Sequence, residues 1–122
     1  MIKLLIIEDD LLLNEAYKKK FEGLYDVKFE TDGEDGLKSA ISWRPDVILL
    51  DIFLPGRMNG IDVLQEMRKD RTLEKLPVFV VTNLPDAIDK VMSLGATKCS
   101  MKTDVDLNSI AEGIEELLAK TT

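Results

Sequence analysis

Two kinds of periodicity alternate along this chain, five times over, and that alternation narrows the choice of fold more than any other feature. Residues 2–7 are an apolar, β-branched run, and Val47-Ile48-Leu49-Leu50 and Val78-Phe79-Val80-Val81 read the same way, as buried strands. Tyr25-Asp26-Val27-Lys28-Phe29 alternates as a more exposed strand does, and Lys98 to Met101 is a brief fifth one. Helical spacing fills the gaps. Leu11 to Glu22 carries Leu12 and Ala16 as its apolar side, Glu34 to Trp43 carries Leu37, Ala40 and Ile41, and residues 61–69 carry Ile61, Leu64 and Met67. A short helix opens at Pro85-Asp86 with Ile88, Val91 and Met92 and stops at Gly95; Leu107 to Lys120 carries Ile110, Ile114, Leu117 and Leu118. Turn formers at Asp32-Gly33, Pro45, Pro55-Gly56 and Asn59-Gly60 punctuate the series. This order predicts an α/β fold, a parallel sheet covered by helices on both faces.

The 122 residues fit one domain, 1–122, and the chain stops soon after its fifth helix, so no output domain is expected. Lys plus Arg number 16 against 23 Asp plus Glu, a net charge of −7, which argues against a nucleic-acid surface and suits a domain that meets proteins or cations. The single cysteine, Cys99, excludes an internal disulfide and permits a reducing compartment. No apolar stretch approaches the ~20 residues a membrane span needs, and no signal pattern precedes the first strand. A cytoplasmic location is the expectation. With no histidine there is no imidazole base or ligand.

Ligands of open parallel sheets bind outside the carboxyl ends of the strands. Here the first strand ends in Glu8-Asp9-Asp10, the third in Asp51, the fourth in Thr82-Asn83 and the fifth in Lys102-Thr103, while the second offers nothing similar. An acid after a strand is more often a helix N-cap, and Asp10 is read as one. Thr82 or Lys102 alone would be a turn or loop residue. Their joint occurrence at one sheet edge points instead to divalent-cation and phosphate chemistry. Mg2+ takes hard carboxylate oxygens, an ammonium and a hydroxyl hold phosphate oxygens, and a carboxylate such as Asp51 can attack phosphorus to form an acyl phosphate.

These segments resemble the receiver domain of bacterial two-component response regulators. Leu4-Leu5-Ile6-Ile7-Glu8-Asp9-Asp10 is similar to the family's first strand and acidic pair, and Pro45-Asp46-Val47-Ile48-Leu49-Leu50-Asp51 to the strand bearing the phosphoacceptor. Leu54-Pro55-Gly56-Arg57-Met58-Asn59-Gly60 resembles the following loop, and Gly95-Ala96 with Lys102 the approach to the family's lysine. The resemblance implies a flavodoxin-like, doubly wound (βα)5 three-layer sandwich with strand order 2-1-3-4-5, and that Asp51 accepts a phosphoryl group. It implies that Asp9, Asp51 and the Phe53 backbone carbonyl ligate Mg2+, with Glu8 acting mainly through bound water. Thr82 would bond a phosphoryl oxygen and Lys102 would pair with the phosphate. The implied partners are a histidine kinase or phosphotransfer protein and an unnamed downstream protein, with no nucleic acid and no membrane, the chain being a monomer or weak dimer. Such a domain is a switch rather than an enzyme, apart from slow self-phosphorylation and self-dephosphorylation.

The chain departs from the family pattern in places. Thr103 follows the lysine where proline is usual, and a cis bond without proline costs ~2.5–4 kcal/mol, so a trans or strained bond is expected. Cys99 stands where an aromatic switch residue is common, and Asn83 where a smaller residue is. The stretch from Thr82 to Gly95 is short by about two residues, predicting a short or late fourth helix, and Arg57 lengthens the loop after Asp51. Phe53 and Leu84, two positions after Asp51 and Thr82, are apolar where polar side chains position the hydrolytic water in similar domains. Slow hydrolysis of the aspartyl phosphate is the expectation.

Other readings remain open on sequence alone: a receiver-like binding module that is not phosphorylated, a regulatory piece of a DNA-binding regulator or hybrid kinase, or a small flavodoxin-like enzyme. The last lacks a Gly-rich phosphate loop, and a dehalogenase-type phosphatase would want an acid at Phe53. Trp43 and the methionines read as packing residues, Lys18-Lys19-Lys20 as a solvated face and Cys99 as a small buried residue.

Overall fold

In the computed structural model, which describes residues 1–120, the alternation resolves into ten regular elements. They are β1 (Lys3–Ile7), α1 (Leu11–Phe21), β2 (Asp26–Glu30), α2 (Gly33–Trp43), β3 (Val47–Leu50), α3 (Gly60–Lys69), β4 (Val78–Thr82), α4 (Ala87–Ser93), β5 (Lys98–Met101) and α5 (Leu107–Lys120). A 3-10 turn follows β5 at Lys102–Asp104. Thr121 and Thr122, the end of the expected 1–122 domain, lie outside the described residues.

All neighbouring strands are parallel, in the order β2-β1-β3-β4-β5. Successive side chains of a strand point to opposite faces, so each buried strand feeds two cores. Leu5, Ile7, Ile48, Leu50, Val78 and Val80 pack with Val63, Leu64 and Met67 of α3 and Val91 of α4. Leu4, Ile6, Val47, Leu49, Phe79 and Val81 pack with Tyr17 and Phe21 of α1 and Ile110, Ile114 and Leu117 of α5. Both faces covered is what a parallel sheet requires, and it explains why β3 and β4 are buried at every position.

Three apolar residues do not lie where helical spacing puts them. Leu12, placed inside by that reading, is 81% exposed, and α1 instead buries Asn14, Tyr17 and Phe21. Three consecutive leucines fit more than one helix face. The sheet takes the face with two aromatic rings, which removes more apolar surface from water than Leu12 and Ala16 would. Ile41 is also exposed, because the inward side of α2 is built from Gly33, Gly36, Ser39 and Ala40. Met92 of α4 faces outward while Val91 is buried. The fourth helix is short, seven residues, as the shortened segment predicts. Among the described residues no peptide bond is cis, so the Lys102–Thr103 bond is trans. No helix there is long and apolar enough to cross a membrane.

Candidate functional site

β1 and β3 are neighbours in register, with Ile7 opposite Leu50, and each stops immediately before an acid. The ladder continues one residue further in the backbone: Glu8 N donates to Glu30 O and Asp51 N to Ile7 O, each at 3.0 Å. Glu8 and Asp51 therefore emerge side by side at the sheet's carboxyl edge, only 3% and 6% exposed. Asp9 is exposed beside them, and one carboxylate oxygen from each of Glu8, Asp9 and Asp51 lies within 4.8 Å of the others. Asp10 turns away to cap α1, its Oδ1 accepting from Leu12 N at 3.0 Å and Leu13 N at 3.2 Å. The cap also aims the Asp10 N–H at Glu8 Oε2, 3.2 Å away.

Lys102 arrives from the turn after β5. Its Nζ lies 2.5 Å from Glu8 Oε1 and 3.1 Å from Asp51 Oδ2, bridging the two buried acids. An ammonium partner ordinarily lowers a carboxyl pKa. Here burial pushes the Glu8 carboxyl up to about 7; the Lys102 hydrogen bond opposes this without overcoming it, and the charge of Asp51 adds to the push. Burial also works against charge on Lys102, but the Glu8 hydrogen bond and the Asp51 charge outweigh it, so its pKa rises. Burial, and then the charges of Glu8, Asp51 and Asp10, push the Tyr17 phenol up as well. One ammonium among three carboxylates leaves negative charge in excess.

The acids and Lys102 floor an open depression whose wall is Phe53, Leu54 and Pro55. Hard carboxylate oxygens, excess negative charge and an open side are what a hydrated Mg2+ needs, so the residues present fit that ion. The Phe53 side chain is 69% exposed at the rim. Thr82 stands one strand over, fully buried at the end of β4, where its Oγ1 accepts from Leu84 N at 3.1 Å; it is not part of the wall. The structure thus brings Glu8, Asp9, Asp51 and Lys102 into direct contact or near it, and sets Thr82 and Phe53 around them.

One residue that sequence reasoning passed over also belongs here. Asn14 of α1 is 9% exposed, its Nδ2 donates to Glu8 O at 2.8 Å, and its Oδ1 is buried with no partner. It braces the turn between β1 and α1 from below. The available signal is its place on the same helical face as Tyr17 and Phe21.

A family description for the response regulator receiver domain matches residues 4–115. The response regulator ArlR of Staphylococcus saprophyticus is 37% identical, over 98% of this chain and 50% of its own length. The DNA-binding dual master transcriptional regulator RpaA of Synechocystis is 30% identical, over 99% of this chain and 51% of its own. The chain thus spans about half the length of the curated relatives it matches. Among solved structures, a CheY-like response regulator receiver domain protein of Methanospirillum hungatei superposes with a TM-score of 0.87 at 27% identity, covering 98% of this chain and 95% of that one. The receiver domain of Francisella response regulator 1452 reaches 0.90 at 23% identity with both chains fully covered, a likeness of fold.

Proposed function

Because the chain belongs to the response regulator receiver domain family, we propose that it is a phosphoacceptor switch of two-component signalling with Asp51 as the acceptor. The observation that carries this reading is the Lys102 bridge between two buried acids, 2.5 Å from Glu8 and 3.1 Å from Asp51. A lysine so placed holds the acceptor oxygen in one orientation and presents a cation where transferred charge arrives.

The transfer is balanced within two partners. A carboxylate oxygen of Asp51 attacks phosphorus, the new O–P bond forms as the P–N bond of a phosphohistidine breaks, and the electron pair leaves with the imidazole. These 122 residues hold no histidine, so the phosphohistidine lies outside them, on a histidine kinase or phosphotransfer protein. Lys102 then pairs with the phosphoryl oxygens, which bring a charge of about −1.5 to −2. Thr82, whose hydroxyl oxygen now only accepts, still has its proton to offer a phosphoryl oxygen. Glu8, Asp9, Asp51 and the Phe53 backbone carbonyl would hold Mg2+, which when bound neutralises the crowded acids and the incoming phosphoryl group. The change in charge and in Thr82 would then alter the affinity of a downstream protein.

The half-length match to longer regulators favours a second reading of the same chemistry, in which this receiver controls a further domain. Intact mass after incubation with Mg2+ and acetyl phosphate tests the acceptor. A gain of roughly 80 Da, absent in Asp51→Asn, is the expected result. No gain with any phosphodonor would replace the switch by a binding module that is not phosphorylated.

A further inference from the structure

Arg68, in the last turn of α3, commits its side chain to main-chain carbonyls. Nε and Nη2 donate to Gly95 O at 3.0 and 2.8 Å, Nη1 to Leu73 O at 2.8 Å, and Nη2 again to Leu76 O at 2.8 Å. Among the described residues no carboxylate pairs with it. One guanidinium therefore ties the end of α3 to the α3–β4 connection and to the turn between α4 and β5. Gly95 sits directly on it: with φ at +105° it takes the left-handed turn, and a Cβ there would lie 3.0 Å from Arg68 Nε.

The two ends of α4 are held very differently. At its C-terminal end Leu94 N bonds Lys90 O, Gly95 N bonds Met92 O and Ala96 N bonds Val91 O, at 2.9–3.1 Å, and Arg68 grips the Gly95 carbonyl beyond them. At the N-terminal end Asp86 makes no side-chain cap bond, Asn83 to Asp86 are all exposed, and the turn bonds only to itself, Ala87 N to Leu84 O at 3.1 Å and Ile88 N to Pro85 O at 3.4 Å. The side-chain tether there is the bond from Leu84 N to Thr82 Oγ1. We propose that Arg68 is the pivot of α4: the helix is pinned at Gly95 and swings at residues 83–88, so a pull on Thr82 becomes a rotation about the pinned end. The link to phosphorylation rests on the reading of Asp51 as acceptor; the asymmetry of α4 does not.

Amide hydrogen exchange on the unliganded chain tests the pivot without any phosphate. In wild type the amides of Leu94, Gly95 and Ala96 should exchange about tenfold or more slowly than those of Ala87 and Ile88. Arg68→Lys keeps the charge but loses the fork, and should speed exchange at residues 94–96 about tenfold while Val63 and Leu64 of α3 stay protected. Arg68→Gln should do the same. A flat profile along α4 in wild type, unchanged protection at residues 94–96 in the variants, or an equal rise at every amide would overturn the pivot. A second arm adds beryllofluoride with Mg2+. Shift changes concentrated at residues 82–88 in wild type, spreading to 94–97 in Arg68→Lys, are expected, and wild-type changes centred on 94–96 would refute the pivot. No response at all in wild type would instead count against the phosphoacceptor reading, leaving the exchange data to decide the pivot.

Discussion

Gly60 opens α3 against the backbone that carries Asp51, and Gly60→Ala is the substitution whose consequence is most directly set by geometry. Gly60 N donates to Ile52 O at 2.8 Å, and a Cβ on Gly60 would meet Asp51 O at 2.1 Å, Ile52 Cα at 2.7 Å and the Asp51 carbonyl carbon at 2.9 Å. All three are main-chain atoms, so no rotamer relieves the clash; helix and strand end must part by roughly 1 Å to reach ordinary contact. Overpacking of this kind costs ~1–3 kcal/mol. Over 122 residues each kcal/mol lowers Tm by about 4 °C, so a fall of about 4–12 °C is expected in thermal unfolding. A displacement of about 1 Å at a reacting group costs on the order of 100-fold in rate, so phosphorylation by acetyl phosphate, followed by intact mass, should slow at least tenfold. Asn59→Ala is the control. It removes the capping box with Asp62, whose two bonds are both 3.0 Å, and costs about 1 kcal/mol without touching the strand. If Gly60→Ala melts no lower than Asn59→Ala and is phosphorylated as fast as wild type, close packing of α3 is not what positions Asp51.

Three further outcomes are expected. Because burial raises Glu8 from 4.5 to about 7, the folded chain holds a proton across that window that the unfolded chain has released, so metal-free stability falls as pH rises through it. Relative to Glu8→Gln, wild type in chelator should lose stability between the two ends, and Mg2+ should restore more at the alkaline end; a Tm difference that moves the other way defeats the assignment. Phe53→Asn and Leu84→Asn should each shorten the life of the aspartyl phosphate in a pulse-chase, since Phe53 is 69% exposed at the rim of the site and Leu84, 36% exposed, bonds Thr82 Oγ1 through its N–H, and a wild-type half-life of seconds would refute this reading. Leu12→Ser should leave Tm within about 2 °C of wild type, whereas Phe21→Ala should cost ~3–5 kcal/mol; equal losses would contradict the helix face described above.

The order of elements, the parallel sheet and the gathering of Glu8, Asp9, Asp51 and Lys102 at one edge were legible in the chain, because each follows from periodicity and from which residue comes after a strand; the strand order was legible only through the likeness to flavodoxin-like receiver domains. Strand ends in a parallel sheet share one edge whatever the details of packing. Hidden from it was every choice between helix faces of similar apolar content. Leu12 against Tyr17, Ile41 against Ala40 and Met92 against Val91 were decided only when the helices met the sheet, because burial is a property of two surfaces together. The same holds for the polar contacts that cross the fold. The direct grip of Lys102 on Glu8 and the bonds of Arg68 to Gly95 join residues 94 and 27 positions apart. Local propensity carries no information over such separations; only the packed sheet and helices bring those atoms within hydrogen-bonding distance and remove the water that would otherwise satisfy them.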